Sequence, residues 1–203
     1  MFRVSDHALA KGLHDMVELI RADRRTPPEI KAWSADLTTR NGYVFRVRPA
    51  APSDETELGT LFQHVDVDDL RFRFLSAIHK VGHDQLKALV TVDHEHVENF
   101  LAFDIASGRM IATAMLAADE TLSCAEVALA IRSDYKRLGI SWTLLDHVAA
   151  FAQAKGIRTL ESIESRDNHQ AIDLERARGW IASACPSDPA SMILRMTLAP
   201  STG

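Results

Sequence analysis

The stretch from Ala125 to Leu145 constrains this chain most, because it joins two periodicities with almost no room between them. Ala125-Glu126-Val127-Ala128-Leu129-Ala130-Ile131 is an apolar run of strand length, whereas Leu144, Leu145, Val148, Ala149 and Ala152 recur at helical spacing. The turn between them carries Lys136, Arg137 and Gly139. The first N–H groups of a helix have no intrahelical partner and the helix dipole favours an anion there, so a strand that enters a helix through a basic, Gly-containing turn predicts a phosphate site. Gly139 lets the backbone approach a ligand without an intervening side chain.

The rest of the chain narrows the setting. A length of 203 residues suits one domain with an appendage, and 46% hydrophobic with 25% charged residues is ordinary globular composition. A formal net charge of -5 without a long basic run disfavours nucleic acid as the main partner. Cys124 and Cys185 lack the spacing of a metal knuckle or a disulfide framework, which fits a reducing compartment. Asp6, His7, Lys11 and Asp15 interrupt any signal-peptide core, and no apolar run reaches membrane-spanning length. A soluble, cytoplasmic protein without a membrane partner is expected.

Residues 1–42 read as a helical N-terminal arm: an amphipathic helix from Ser5 to Arg24, a stop at Thr26-Pro27-Pro28, and a second helical piece from Glu29 to Leu37. The regular stripe from Leu9 to Ile20 predicts docking on the domain or on a second copy, as in a homodimer. Residues 43–200 read as the domain. Tyr43–Arg48 alternates as a strand, the Pro49 and Pro52 breaks follow, and a helix carries Leu58, Leu61, Phe62 and Val65 toward a core. Two strands from Glu98 and from Arg109 form a hairpin through Ile105-Ala106-Ser107-Gly108, and the chain then turns into the Ala125 strand. After the following helix come a Gly156 stop, a strand from Arg158, a short capped helix from Asn168 ending at Gly179, and a last strand from Met192. His94 and His96 form a His-x-His pair, but no third ligand stands at sensible spacing, so no metal is expected.

Two of these segments carry a family resemblance. Tyr135-Lys136-Arg137-Leu138-Gly139-Ile140-Ser141 resembles the Q/R-x-x-G-x-G/A signature of GNAT-type N-acetyltransferases, with Lys136 and Ser141 as its departures. Asn168-His169-Gln170-Ala171 through Leu174 to Gly179-Trp180 resembles that family's ending. The segment Arg71-Phe72-Arg73-Phe74-Leu75-Ser76 with Thr91-Val92-Asp93 is similar to the GNAT domain of bacterial Pat-type protein lysine acetyltransferases. The resemblance runs from about Val44 to Leu198. It implies an α/β (α+β) GNAT fold, a central mixed, mostly antiparallel twisted sheet flanked by helices, and acetyl-CoA as cosubstrate.

It also implies roles. Lys136, Arg137, Leu138, Gly139, Ile140, Ser141 and Trp142 hold the pyrophosphate, and the backbone of Leu129, Ala130 and Ile131 holds pantetheine, with the Leu129 N–H in the oxyanion hole. Asn168 lies near the thioester or pantetheine unless it is simply a helix cap. Glu126 matches the general-base glutamate of Pat-type enzymes, and a base is needed because an amine acceptor is protonated at neutral pH. The tyrosine acid of many GNAT enzymes is missing from Leu174-Glu175-Arg176-Ala177-Arg178, which leaves the acid unassigned. A protein lysine is the favoured acceptor. A polyamine or antibiotic amine, or a non-catalytic acyl-CoA sensor, are the alternatives.

Overall fold

The described strands assemble into one eight-stranded sheet with helices on both faces. The computed structural model describes residues 32–74 and 81–199. In chain order the elements are β1 (Ala35–Thr38), β2 (Val44–Pro49), α1 (Glu55–Phe62), α2 (Val67–Phe74), α3 (His83–Val90), β3 (Val97–Asp104), β4 (Met110–Ala118), β5 (Cys124–Ile131), α4 (Ile140–Ala154), β6 (Thr159–Ser165), α5 (His169–Arg176), β7 (Ile181–Ala184) and β8 (Ser191–Thr197). The strands lie in the order β1-β2-β3-β4-β5-β6-β8-β7. Only β5 and β6 run parallel, because α4 carries the chain back between them.

Each face of the sheet buries its own core. On one face Leu144, Val148 and Ala152 of α4 pack with Phe100, Ala114, Val127 and Leu160. On the other, Leu58, Leu61 and Phe62 of α1 and Leu89 of α3 pack with Leu101, Met115 and Ala130. Neighbouring β5 residues thus serve opposite cores, as the period of two requires, with Ala125 and Val127 under α4 and Ala130 under α1–α3. Burying one such leucine contributes roughly 1.5–3 kcal/mol, so β5 is held firmly from both sides.

One expected element is corrected. The second helical piece, expected to reach Leu37, gives way at Ala35 to β1, which pairs antiparallel with β2 from Ala35↔Val47 to Thr38↔Val44. The reason is the turn that follows: Gly42 takes φ 81, Thr39 N–H donates to the Tyr43 carbonyl at 2.9 Å, and the chain folds back on itself as a hairpin. Trp33 anchors the approach to β1 by edge contacts with His147 and Phe151 of α4. The helix expected over Ser5–Arg24 lies outside the described residues. No helix among the described residues is long and apolar enough to cross a membrane.

Candidate functional site

The site begins where the parallel pair comes apart. β5 and β6 pair only over Cys124↔Thr159, Ala125↔Leu160 and Glu126↔Glu161. Beyond that register β5 continues on β4 as far as Ile131 while β6 continues on β8 as far as Ser165, so the two strands diverge. No strand among the described residues covers the β6-facing edge of β5 past Glu126. The opening is a cleft of about 740 Å³ whose lining includes Glu126, Leu129, Ala130, Ile131, Trp142 and Asn168. Exposed main-chain groups along Val127–Ile131 suit a ligand that carries amides of its own, since an unpaired strand edge offers both donors and acceptors.

At the far end of the cleft the chain passes a short 3-10 turn at Ser133–Tyr135 and starts α4 from Gly139. Gly139 has φ 85 and no side chain caps the helix, so the first-turn N–H groups of Ile140, Ser141 and Trp142 remain for a ligand. Arg137 also takes a left-handed φ of 66, a conformation that costs roughly 1–2 kcal/mol outside glycine and gathers at ligand sites. Gly139 has a reason beyond close ligand approach: a Cβ there would stand 3.3 Å from Cβ of Thr39, which is itself buried.

The side chains of the turn divide by role. Ile140 is buried in the α4 core and Leu138 packs partly against it, and neither side chain lines the cleft. Arg137 is exposed and makes no ion pair among the described residues. Lys136 lines the cleft, and its Nζ lies 2.5 Å from Asp66 and 2.7 Å from Asp69. The Lys136 ammonium and the Ser133 hydroxyl hold the Asp66 carboxyl below its ordinary range. Together they tie the α1–α2 segment to the turn. Trp142 packs under the guanidinium of Arg178, 4.4 Å from its ring centre, with Arg40 at 5.4 Å on the same ring. Ser141 lines the cleft at the first turn of α4.

Asn168 caps α5 and lines the cleft. Its side chain accepts from the Ala171 N–H, and its Nδ2 donates to Glu164 at 2.7 Å. Glu126 stands at the last paired position of β5, half-buried, at the vertex of the opening. His94 and His96 turn to different carboxylates, Glu98 at 3.0 Å and Asp93 at 3.6 Å, and no cluster of three or more metal-ligating side chains occurs among the described residues.

Sequence reasoning missed the acidic residue beside the vertex. Glu175 of α5 is 4% exposed, lines the cleft, and accepts a 2.5 Å hydrogen bond from the Ser162 hydroxyl. Burial pushes its carboxyl up to about 7, against a smaller downward pull from Ser162. A signal was present: Glu175 follows Ile172 by three residues on the buried stripe of α5, where a carboxylate is out of place. Arg178, tied to Asp146 at 2.6 Å, was missed as well.

Comparison with known proteins gives this geometry a context. Residues 65–180 match the acetyltransferase (GNAT) family. An acetyltransferase of Pseudomonas aeruginosa is 27% identical over 160 residues, which is 78% of this chain and 86% of that protein. The GNAT domain of S. lividans PAT superposes with a TM-score of 0.77 at 22% identity, covering 86% of this chain and 100% of that one. Spermidine N-acetyltransferase from Vibrio cholerae, solved with CoA and spermine, superposes at 0.63 with 13% identity, covering 76% and 95%. These two structural likenesses establish the fold.

Proposed function

The chain belongs to the acetyltransferase (GNAT) family and is thereby an acetyl-CoA-dependent N-acetyltransferase, and on that premise we propose that it acetylates a primary amine, a protein lysine ahead of a small polyamine or antibiotic, with Glu126 as general base. The observation that carries this reading is the coincidence of Glu126 with the vertex where β5 and β6 part. A carboxylate there faces the end of the cleft remote from the α4 N-terminus. An amine brought to that end loses a proton to Glu126 and becomes nucleophilic. The resemblance of the Arg71–Ser76 segment to Pat-type enzymes favours a protein lysine.

The cofactor's fit rests on this chain's own groups. The edge of β5 turned away from β4 receives the pantetheine amides through the main chain of Leu129 and Ile131, with Ala130 between them and the Leu129 N–H offered to the developing oxyanion. The uncapped amides from Gly139 to Trp142, with Arg137 beside them, receive the pyrophosphate. Lys136 contributes through its hold on Asp66 and Asp69, and Asn168 through its place on the opposite wall. When bound, acetyl-CoA supplies an activated acyl group.

Glu126→Gln tests the assignment. Acetyl-CoA affinity by calorimetry should hold, while turnover on a panel of lysine peptides and polyamines should fall by ~10²–10⁴, with partial recovery at higher pH as the acceptor deprotonates unaided. Turnover close to that of the parent at neutral pH removes Glu126 from the mechanism. Preference within the same panel decides between protein lysine and small amine.

A further inference from the structure

We propose that Glu175 is the acid of this site, giving its proton to the sulfur of the departing CoA as the acyl group leaves; the inference rests on the acetyl-transfer reading above. Three observations place it there. First, Glu126↔Glu161 is the last pair before β5 and β6 part, and Ser162, the next residue of β6, is the one whose hydroxyl holds Glu175. The carboxyl therefore lies beside the vertex, on the face of the sheet that Ser162 shares with Leu160 and α4, and it lines the same cleft as Glu126. Second, the uncapped start of α4 lies past Ile131, and the five residue steps of β5 back to Glu126 span about 17 Å at the usual strand rise. A pantetheine arm whose phosphates would meet the first turn of α4 and whose amides would run along that edge of β5 would point its sulfur end toward the vertex.

Third, the carboxyl's two oxygens have different surroundings. Oε2 accepts from Ser162, whereas Oε1 has no partner among the described residues and is not sealed from the cleft that Glu175 lines. A neutral acid held this way carries its proton on the open oxygen. The charged groups around it leave it without a cation: Glu164 is held by Asn168, Glu161 by Arg195, and Arg178 by Asp146, and Glu126 lines the same cleft. Burial is what keeps the proton on at neutral pH.

The step balances within the site. The nitrogen–carbon bond forms and the carbon–sulfur bond breaks. The protonated amine gives up two protons on its way to the amide: Glu126 takes one before attack and, after passing it to water, a second as the carbon–sulfur bond breaks. Glu175 protonates the sulfur and regains its proton from water, so one proton is released overall. A buried carboxyl near the C-terminal end of α5 thus takes the acid role that had no tyrosine to fill it.

Glu175→Gln is nearly isosteric, neutral like the protonated acid, and keeps an oxygen for Ser162. The full chain carrying it should bind acetyl-CoA within about threefold of the parent by calorimetry and lose ~10²–10⁴ in turnover with a lysine-peptide library as acceptor. A second readout needs neither turnover nor acceptor. The infrared band of a protonated carboxyl, present in the parent at neutral pH and absent from Glu175→Gln, should shift when CoA is added, because its open oxygen then meets the sulfur. A purely structural Glu175 predicts a band that CoA leaves unmoved, and that result, or turnover within threefold of the parent, overturns the proposal. Failure of the parent itself to bind acetyl-CoA would instead count against the acetyl-transfer reading.

Discussion

Gly139→Ala isolates what holds the cofactor turn in shape. The residue sits at φ 85, where a side chain costs roughly 1–2 kcal/mol, and its new Cβ would meet Thr39 Cβ at 3.3 Å, with Cγ2 and Oγ1 at 3.8 Å. Thr39 has little freedom to retreat. It is 3% exposed, its Oγ1 accepts from the Tyr43 N–H at 3.1 Å, and its own amide and carbonyl close the β1–β2 turn. Forcing an extra methyl into such a contact costs roughly 1–3 kcal/mol more. Gly156→Ala is the control, because Gly156 has φ 82 with open space around it and so bears the backbone cost alone. In urea unfolding, Gly139→Ala should lose about 1–3 kcal/mol more than Gly156→Ala, or several degrees of melting temperature. Because the displaced residue begins α4, calorimetry should also show acetyl-CoA binding about tenfold weaker, a loss of about 1.4 kcal/mol. Equal losses in the two variants would mean that Thr39 does not brace the turn, and the reasoning fails.

Two further outcomes follow from buried carboxyls. Between its ordinary value of 4.5 and its folded value of about 7, Glu175 keeps a proton that the unfolded chain releases, so its contribution makes stability fall as pH rises through that window, by about 3 kcal/mol in all. Comparing urea unfolding at about pH 5 and about pH 8 should show that Glu175→Gln removes this slope; an unchanged slope refutes the assignment. Burial alone would raise the Asp54 carboxyl, but its paired 2.7 Å hydrogen bonds from Arg48 and the Ala51 amide outweigh it and hold it below 3.8. Asp54→Asn should therefore cost about 2–3 kcal/mol at neutral pH, and the difference from the parent should shrink as acid protonates Asp54 below that value. A difference that persists undiminished in acid would point to packing rather than charge.

Local chemistry made much of this protein legible in its sequence. The β5 strand, the basic turn and α4 are adjacent in the chain, so two periodicities and one glycine sufficed to predict the strand, the helix and the uncapped start between them. Gly156 and Gly179 were readable as stops because a left-handed residue after a helix is a property of a few consecutive residues, and both take positive φ. Contacts that join distant segments were not readable. β1 is a strand because β2 pairs with it, and its own residues say little. The ion pairs of Lys136 with Asp66 and Asp69, some seventy residues earlier, appear only once α2 folds against the turn. Glu175 lies on the stripe of Ile172 by spacing alone, but that Ser162 holds it beside the parting of β5 from β6 is decided only by the fold. Spacing along the chain sets which face a side chain occupies. Only the closed sheet sets which faces meet, and burial against a partner is what gives a carboxyl its proton and a lysine its counter-charges.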